Sequence, residues 1–258
     1  MENNASPTEI TGKKIFFLFP TVVVENKIIP ELIQQEYEVY VAKNKDTIRR
    51  VLRDNKNSIV FVDINERLKE NEWETWIIAV KNAPDTNTTS IGIVSANDDE
   101  KLQEKYLSAN IKVCGYVVLK FDLDKTIRPI IDILRSLDAK GRRKFIRATI
   151  IKESNVTLNL SYNGSFVNGK IKDISAVGFS CTLEDNPDIS KNTLFKDIQI
   201  KLQSTIIKAE AIVFGTRTEG LENVYVLLFT QRIDPDVRAK IHKYIQHNLQ
   251  TKMDIELK

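Results

Sequence analysis

Gly141-Arg142-Arg143-Lys144-Phe145-Ile146-Arg147 divides this chain in two. Before it, short apolar blocks alternate with helix-period segments. After it, the runs are β-branched or alternating, and no helix period returns until Asp234. The stretch also carries three guanidiniums within six residues. About 30 residues on, Asp173-Ile174-Ser175-Ala176-Val177-Gly178 places a carboxylate, a hydroxyl and a glycine at the end of a strand-like run. A guanidinium is planar, permanently charged and able to fork onto phosphate oxygens. A carboxylate accepts hydrogen bonds, which an arginine cannot do. The two pieces together suit a planar, anionic ligand.

Upstream, residues 14–19 form a continuous apolar run ending at Pro20, as a buried strand does. Residues 24–35 can wind as a helix with Pro30 as its weak point. Residues 38–42 are β-rich. Asp46 opens a helix as first-turn or capping acid, with Ile48, Val51 and Leu52 on one face. Strand-like runs at 58–63, 90–95 and 115–120 alternate with two further helices. The first of these buries Trp73, Trp76, Ile77 and Val80, and the second spans 98–108. A last helix from Leu123 to about Lys140 carries Ile127, Ile130, Ile131 and Leu134, and Gly141 is its natural stop. Such alternation predicts a parallel sheet with helices on both faces. Ligands then lie beyond the carboxyl ends of the strands, at Pro20, Thr21, Asp63, Ser95 and Lys120.

Asp63, Ser95 and Lys120, spaced 32 and 25 residues apart, match in type and order the phosphoacceptor Asp, the Ser or Thr and the Lys of response-regulator receiver domains. Residues 12–138 resemble that family. The resemblance implies that Asp63 is the phosphoacceptor and that Mg²⁺ is held by an acidic pair ending the first strand. Here that strand ends Leu18-Phe19-Pro20-Thr21, and Phe121 replaces the proline that follows the family's lysine. One carboxylate holds a hard divalent cation poorly. The expectation is a degenerate receiver-like domain, with Asp63, Ser95 and Lys120 as vestigial phosphorylation residues. Asp and Ser are also ordinary strand-end residues that bond nearby backbone. The alternative is a phosphorylation-dependent response regulator with Asp63 as phosphoacceptor.

Downstream, β-rich runs cover 145–152, 156–162, 178–183, 198–202, 206–214 and 224–230. Asn163-Gly164 and Asn168-Gly169 are turn signals. Residues 235–249 have helical period, with Val237, Ile241, Tyr244, Ile245 and Leu249 on one face, Pro235 in the first turn and Asp234 as cap. Arg143 and Arg147 form Arg-x-x-x-Arg, and 173–178 form Asp-x-Ser-x-x-Gly. In this order, at this separation and in an all-β context, residues 140–232 resemble the PilZ domain, a receptor for the bacterial second messenger cyclic di-GMP. The resemblance implies cyclic di-GMP binding by Arg142, Arg143, Arg147, Asp173, Ser175 and Gly178. The arginines would wrap over the ligand from a flexible segment. Arg142, directly before the motif, goes with an intercalated pair of ligands in such domains. An arginine-rich linker and an Asp-x-Ser turn cap would use the same residue types.

Formal net charge is +3, so no broad basic field points to nucleic acid. Residues 1–11 lack the basic start and apolar core of a signal peptide, and no run of about 20 apolar residues exists. A cytoplasmic location and no membrane insertion are expected. Cys114 and Cys181 read as buried free thiols. His242 and His247 are five apart, which takes them off a shared helix face and argues against a metal site. No nucleophile–base set, P-loop or metal spacing appears, so no enzyme activity and no cofactor are expected. The predicted architecture is a receiver-like parallel five-stranded α/β sandwich (12–138) and a hinge linker carrying the arginine motif (139–147). A six- to seven-stranded antiparallel PilZ-type β-barrel (148–233) and a C-terminal helix (234–251) follow. The predicted function is a cyclic di-GMP receptor that rearranges its domains to signal to a downstream protein partner of unknown identity.

Overall fold

The structure, a computed structural model, describes residues 11–150, 156–230 and 233–256. The chain divides into two compact units, with the break between Lys144 and Phe145. The reading of residues 1–10 as no signal peptide, and the end of the 145–152 run, fall outside the described residues.

The first unit is a five-stranded parallel sheet in the order β2-β1-β3-β4-β5. The strands are β1 (Ile15–Leu18), β2 (Val39–Ala42), β3 (Ile59–Asp63), β4 (Ser90–Ser95) and β5 (Tyr116–Val118). Every residue of β1 and β3 is buried, as their unbroken apolar runs require. Because β1 has β2 on one side and β3 on the other, its flanking connections diverge and leave a crevice beyond its carboxyl end. Asp63 closes β3 at that crevice.

The helices differ from expectation where local chemistry competes. The first, α1, winds as a wider π turn over Val24–Ile28 and as an α-helix over Ile29–Gln34. Pro30 has no N–H to give to the carbonyl four residues back, and the wider winding precedes it. In α2 (Lys45–Asp54) the cap is Asn44, whose Oδ1 accepts from the Asp46 and Thr47 amides; Asp46 takes the first turn. After α3 (Glu70–Asn82) and α4 (Glu100–Leu107), α5 (Leu123–Ser136) stops five residues before Gly141. Asp138 adopts φ 49°, and its amide and that of Ala139 bond back to Arg135 and Leu134, so an aspartate ends this helix in the place glycine usually takes. Cys181 is buried, but Cys114 is only half-buried, and both are free thiols.

The second unit is a closed antiparallel barrel of β7 (Val156–Tyr162), β8 (Ser165–Ser175), β9 (Gly178–Leu183), β10 (Leu194–Leu202), β11 (Thr205–Glu219) and β12 (Glu222–Phe229). β8 pairs with both β7 and β9, which closes the ring and removes its edges. A short strand, β6 (Arg147–Thr149), adds to the end of β8. Leu158, Ile171, Phe179, Cys181, Ile200, Val213 and Leu227 are among the buried core residues. The C-terminal helix α6 (Pro235–Glu256) packs against β6, β8 and β11 and runs several residues beyond the predicted end. Asp234 caps it through its Oδ1, which accepts from the Asp236 amide at 2.7 Å.

Asn163 and Gly164 are the two-residue loop of the β7–β8 hairpin, at φ 50° and 79°. Asn168-Gly169, expected as a turn, lies inside β8. There a Cβ on residue 169 would sit 2.5 Å from the Thr182 carbonyl oxygen, so the glycine serves close strand approach.

Candidate functional site

The geometry of the Asp-x-Ser-x-x-Gly segment follows from one tight hairpin. Ser175 ends β8, Gly178 begins β9, and the two pair directly with Ala176 and Val177 as the loop. The Ser175 hydroxyl donates to the Gly178 carbonyl at 3.1 Å, and the Phe229 amide donates to the Val177 carbonyl at 2.9 Å. Gly178 is paired with Leu228 of β12, and a Cβ there would lie 2.2 Å from the Leu227 carbonyl oxygen. No side chain fits, so the strand backbone is bare at this point.

β6 brings the second motif arginine to this hairpin. Arg147 pairs with Ser175 and Thr149 with Asp173. From this register Arg147 reaches diagonally, and its Nη1 lies 3.2 Å from Asp173 Oδ1. The other carboxylate oxygen, Oδ2, accepts from the Ser180 hydroxyl. Lys172, next to Asp173 in sequence, is held elsewhere: its Nζ lies 2.8 Å from Glu219 Oε2, and Glu219 also accepts from Arg217. The Asp173 side chain keeps 16% of its surface and that of Arg147 43%, so the pair is within reach of solvent and of a ligand. Beside it, Val226 pairs with Ser180, and Leu228 with Gly178 and Ile212. Leu228 and Ile212 are partly exposed, which gives the acceptor an apolar neighbour surface.

Of the six predicted ligand residues, the structure therefore gathers Arg147, Asp173, Ser175 and Gly178. Arg142 and Arg143 are exposed at the end of the first unit, and neither has an ion-pair partner among the described residues. Sequence reasoning missed Ser180. Strand alternation from Gly178 was a usable signal, since residue 180 must face the same side as residue 178.

The carboxyl end of the parallel sheet holds the other predicted set. Asp63 is 2% exposed. Its Oδ1 accepts from the Asn65 amide at 3.1 Å, while Oδ2 has no hydrogen-bond partner. Burial pushes the carboxyl up to about 6 from the usual carboxylate range, with Glu66 adding to this, while the Asn65 amide and the nearby Thr21 amide, which falls short of a formed hydrogen bond, oppose it. Ser95 ends the neighbouring strand and is fully buried. Its hydroxyl donates to Asn65 Oδ1 at 2.6 Å, and the Ala96 amide donates to the same oxygen at 3.0 Å. Lys120 lies beyond β5, exposed, with its amide donating to Thr126 Oγ1 at 2.9 Å. No ion pair joins Lys120 to Asp63 among the described residues. The same residues contain no group of three or more His, Cys, Asp or Glu able to hold a metal, and no helix long and apolar enough to cross a membrane.

No protein-family model matches the sequence, and no curated protein matches it. Solved structures do resemble parts of it. The PilZ domain with cyclic di-GMP of YcgR from Escherichia coli is 14% identical over 45% of this chain and 97% of its own, with a TM-score of 0.38. The MrkH–cyclic di-GMP complex of K. pneumonia is 20% identical over 46% of this chain and 55% of its own, with a TM-score of 0.36. The signal receiver domain of an HD domain-containing protein from Pseudomonas fluorescens Pf-5 is 15% identical over 52% of this chain and 94% of its own, with a TM-score of 0.41.

Proposed function

We propose that the chain is a receptor for cyclic di-GMP, and that ligand binding at the β8–β9 hairpin is passed to a partner protein through a change in the arrangement of the two units. The observation that carries this reading is the Arg147–Asp173 pair, 3.2 Å apart, beside the bare backbone of Gly178. A guanine presents N1–H and amino donors to a carboxylate. Its O6/N7 edge, or a phosphate, takes a guanidinium fork. Both groups are already at hand, engaged with each other. Ligand entry exchanges one ion pair for two charge-matched contacts: Asp173 turns to the base, and Arg147 to the phosphate or the base edge.

Arg142 and Arg143 extend the cationic set along the same segment of chain. They follow α5 closely and precede β6, so the arginine stretch is the joint between the units. Closure of this segment over the ligand favours one arrangement of the units only if that arrangement binds more tightly. The role is that of a binding module with residues 139–147 as hinge, rather than of an enzyme.

Calorimetric titration of the full chain with cyclic di-GMP tests the reading. Arg143→Ala, Arg147→Ala and Asp173→Ala should each weaken binding more than tenfold, about 2 kcal/mol for a lost charged hydrogen-bonded anchor. Stoichiometry near two, falling in Arg142→Ala, is expected if that residue supports a ligand pair. A wild type that takes up no cyclic di-GMP ends the proposal.

A further inference from the structure

Two hydrogen-bond donors at the carboxyl end of the parallel sheet converge on a single side-chain oxygen. The Ser95 hydroxyl and the Ala96 amide both donate to Asn65 Oδ1, at 2.6 and 3.0 Å. Ser95 Oγ in turn accepts from the Asn97 amide at 3.0 Å, so the loop after β4 is drawn onto the loop after β3 through one amide group. Asn65 follows Asp63 by two residues and is tied back to it, its own amide donating to Asp63 Oδ1 at 3.1 Å. Directly beneath lies the Asp63 carboxyl, buried, with Oδ2 unpartnered.

A hydroxyl and a backbone N–H aimed at one point beside a carboxyl form a cradle for an oxyanion, and an oxygen held on Asp63 would fall between the two adjacent strand ends. Here a neutral carboxamide oxygen from the chain's own loop accepts both. We propose that Asn65 is a built-in stand-in for that oxyanion: it satisfies the Ser95 and Ala96 donors, holds the two loops together without any modification, and keeps the place beside Asp63 closed. The first unit is then fixed in one loop arrangement whatever the phosphorylation state of the cell, and any regulation must reach it from elsewhere in the chain. The end of β1, Leu18-Phe19-Pro20-Thr21, fits the same outcome, since it offers no carboxylate to hold a divalent cation beside a second negative charge.

Asn65 is exposed on its outer side, so its replacement leaves the core intact. The test is amide exchange and chemical-shift mapping of the full chain in the wild type, Asn65→Ala and Asn65→Gln. In Asn65→Ala the Ala96 amide should exchange at least tenfold faster. Inorganic phosphate, titrated at pH 5 where the Asp63 carboxyl is protonated, should then shift the Ala96 resonance, while the wild type stays unmoved. Unchanged Ala96 exchange in Asn65→Ala overturns the proposal, and so does a wild type whose Ala96 amide answers phosphate as strongly as the variant's. Asn65→Gln, which keeps the amide on a longer stem, should behave like Asn65→Ala; wild-type protection of Ala96 in the glutamine variant would show that position does not matter and would also overturn it.

Discussion

Each unit places an aspartate near a strand end with a serine close by, Asp63 closing β3 and Asp173 two residues short of the end of β8, and the two sites are built to opposite ends. Asp63 is buried at a sheet crevice with Oδ2 unpartnered, and its carboxyl is pushed up to about 6. Asp173 sits on a barrel surface with a guanidinium on one oxygen and a hydroxyl on the other. Desolvation favours the neutral acid at Asp63, whereas at Asp173 both carboxylate oxygens already face donors. The first aspartate is therefore poorly prepared to gain further negative charge. The second is, in the proposed function, the acceptor that a ligand donor claims. Residue type alone would have assigned them the same job; the neighbours decide.

The comparison breaks most violently at Gly178. An added methyl would meet the Leu227 carbonyl oxygen at 2.2 Å, and that atom is backbone, with no rotamer to retreat into. Gly178→Ala should cost the barrel about 3 kcal/mol, the upper range for overpacking a tight site. Both tryptophans, Trp73 and Trp76, lie in the first unit. Their fluorescence transition should stay put while the far-UV signal of the barrel shifts to lower denaturant. A barrel that tolerates the substitution would mean that β12 is not held against the hairpin as described.

Asp63→Asn comes next, and its sign is set by pH. The folded state holds the Asp63 proton more tightly than the unfolded chain does. Stability is therefore withdrawn as pH rises from about 4 through about 6, and the full penalty persists above that. The asparagine removes the titration. It should stabilise the first unit by about 3 kcal/mol near pH 7.5 and by almost nothing near pH 3, below the unfolded pKa, read by tryptophan fluorescence in denaturant. Equal gains at both pH values would show that the effect is packing and not charge.

Local features were the legible ones. Buried strands announced themselves as unbroken apolar runs, and Asn163-Gly164 was correctly a turn because both residues accept positive φ. Asn168-Gly169 carries the same letters and is strand, because close approach of Thr182, a contact made across β8 and β9, demands the glycine. The stop of α5 at Asp138 was hidden because aspartate competes for the left-handed position less visibly than Gly141 does. Asn65 and Ser180 escaped for one reason: each matters through a partner fixed by strand pairing, Ser95 in one unit and Asp173 in the other. Pairing register is not written in any single segment.

Ser180 offers the finest test of the contrast. Its hydroxyl gives Asp173 the second donor that Asp63 Oδ2 lacks. In Ser180→Ala, Asp173 keeps Arg147 but loses the bond that fixes the plane of its carboxylate. The barrel should lose little stability, since the residue pairs through its backbone with Asp173 and Val226 regardless. If the chain binds cyclic di-GMP as proposed, affinity should fall about fivefold, about 1 kcal/mol for one lost orienting hydrogen bond. Ser180→Thr keeps the hydroxyl and should restore most of it. If alanine and threonine bind alike, the carboxylate is oriented by Arg147 alone, and the second donor that separates Asp173 from Asp63 belongs to the fold of the hairpin and not to the ligand site.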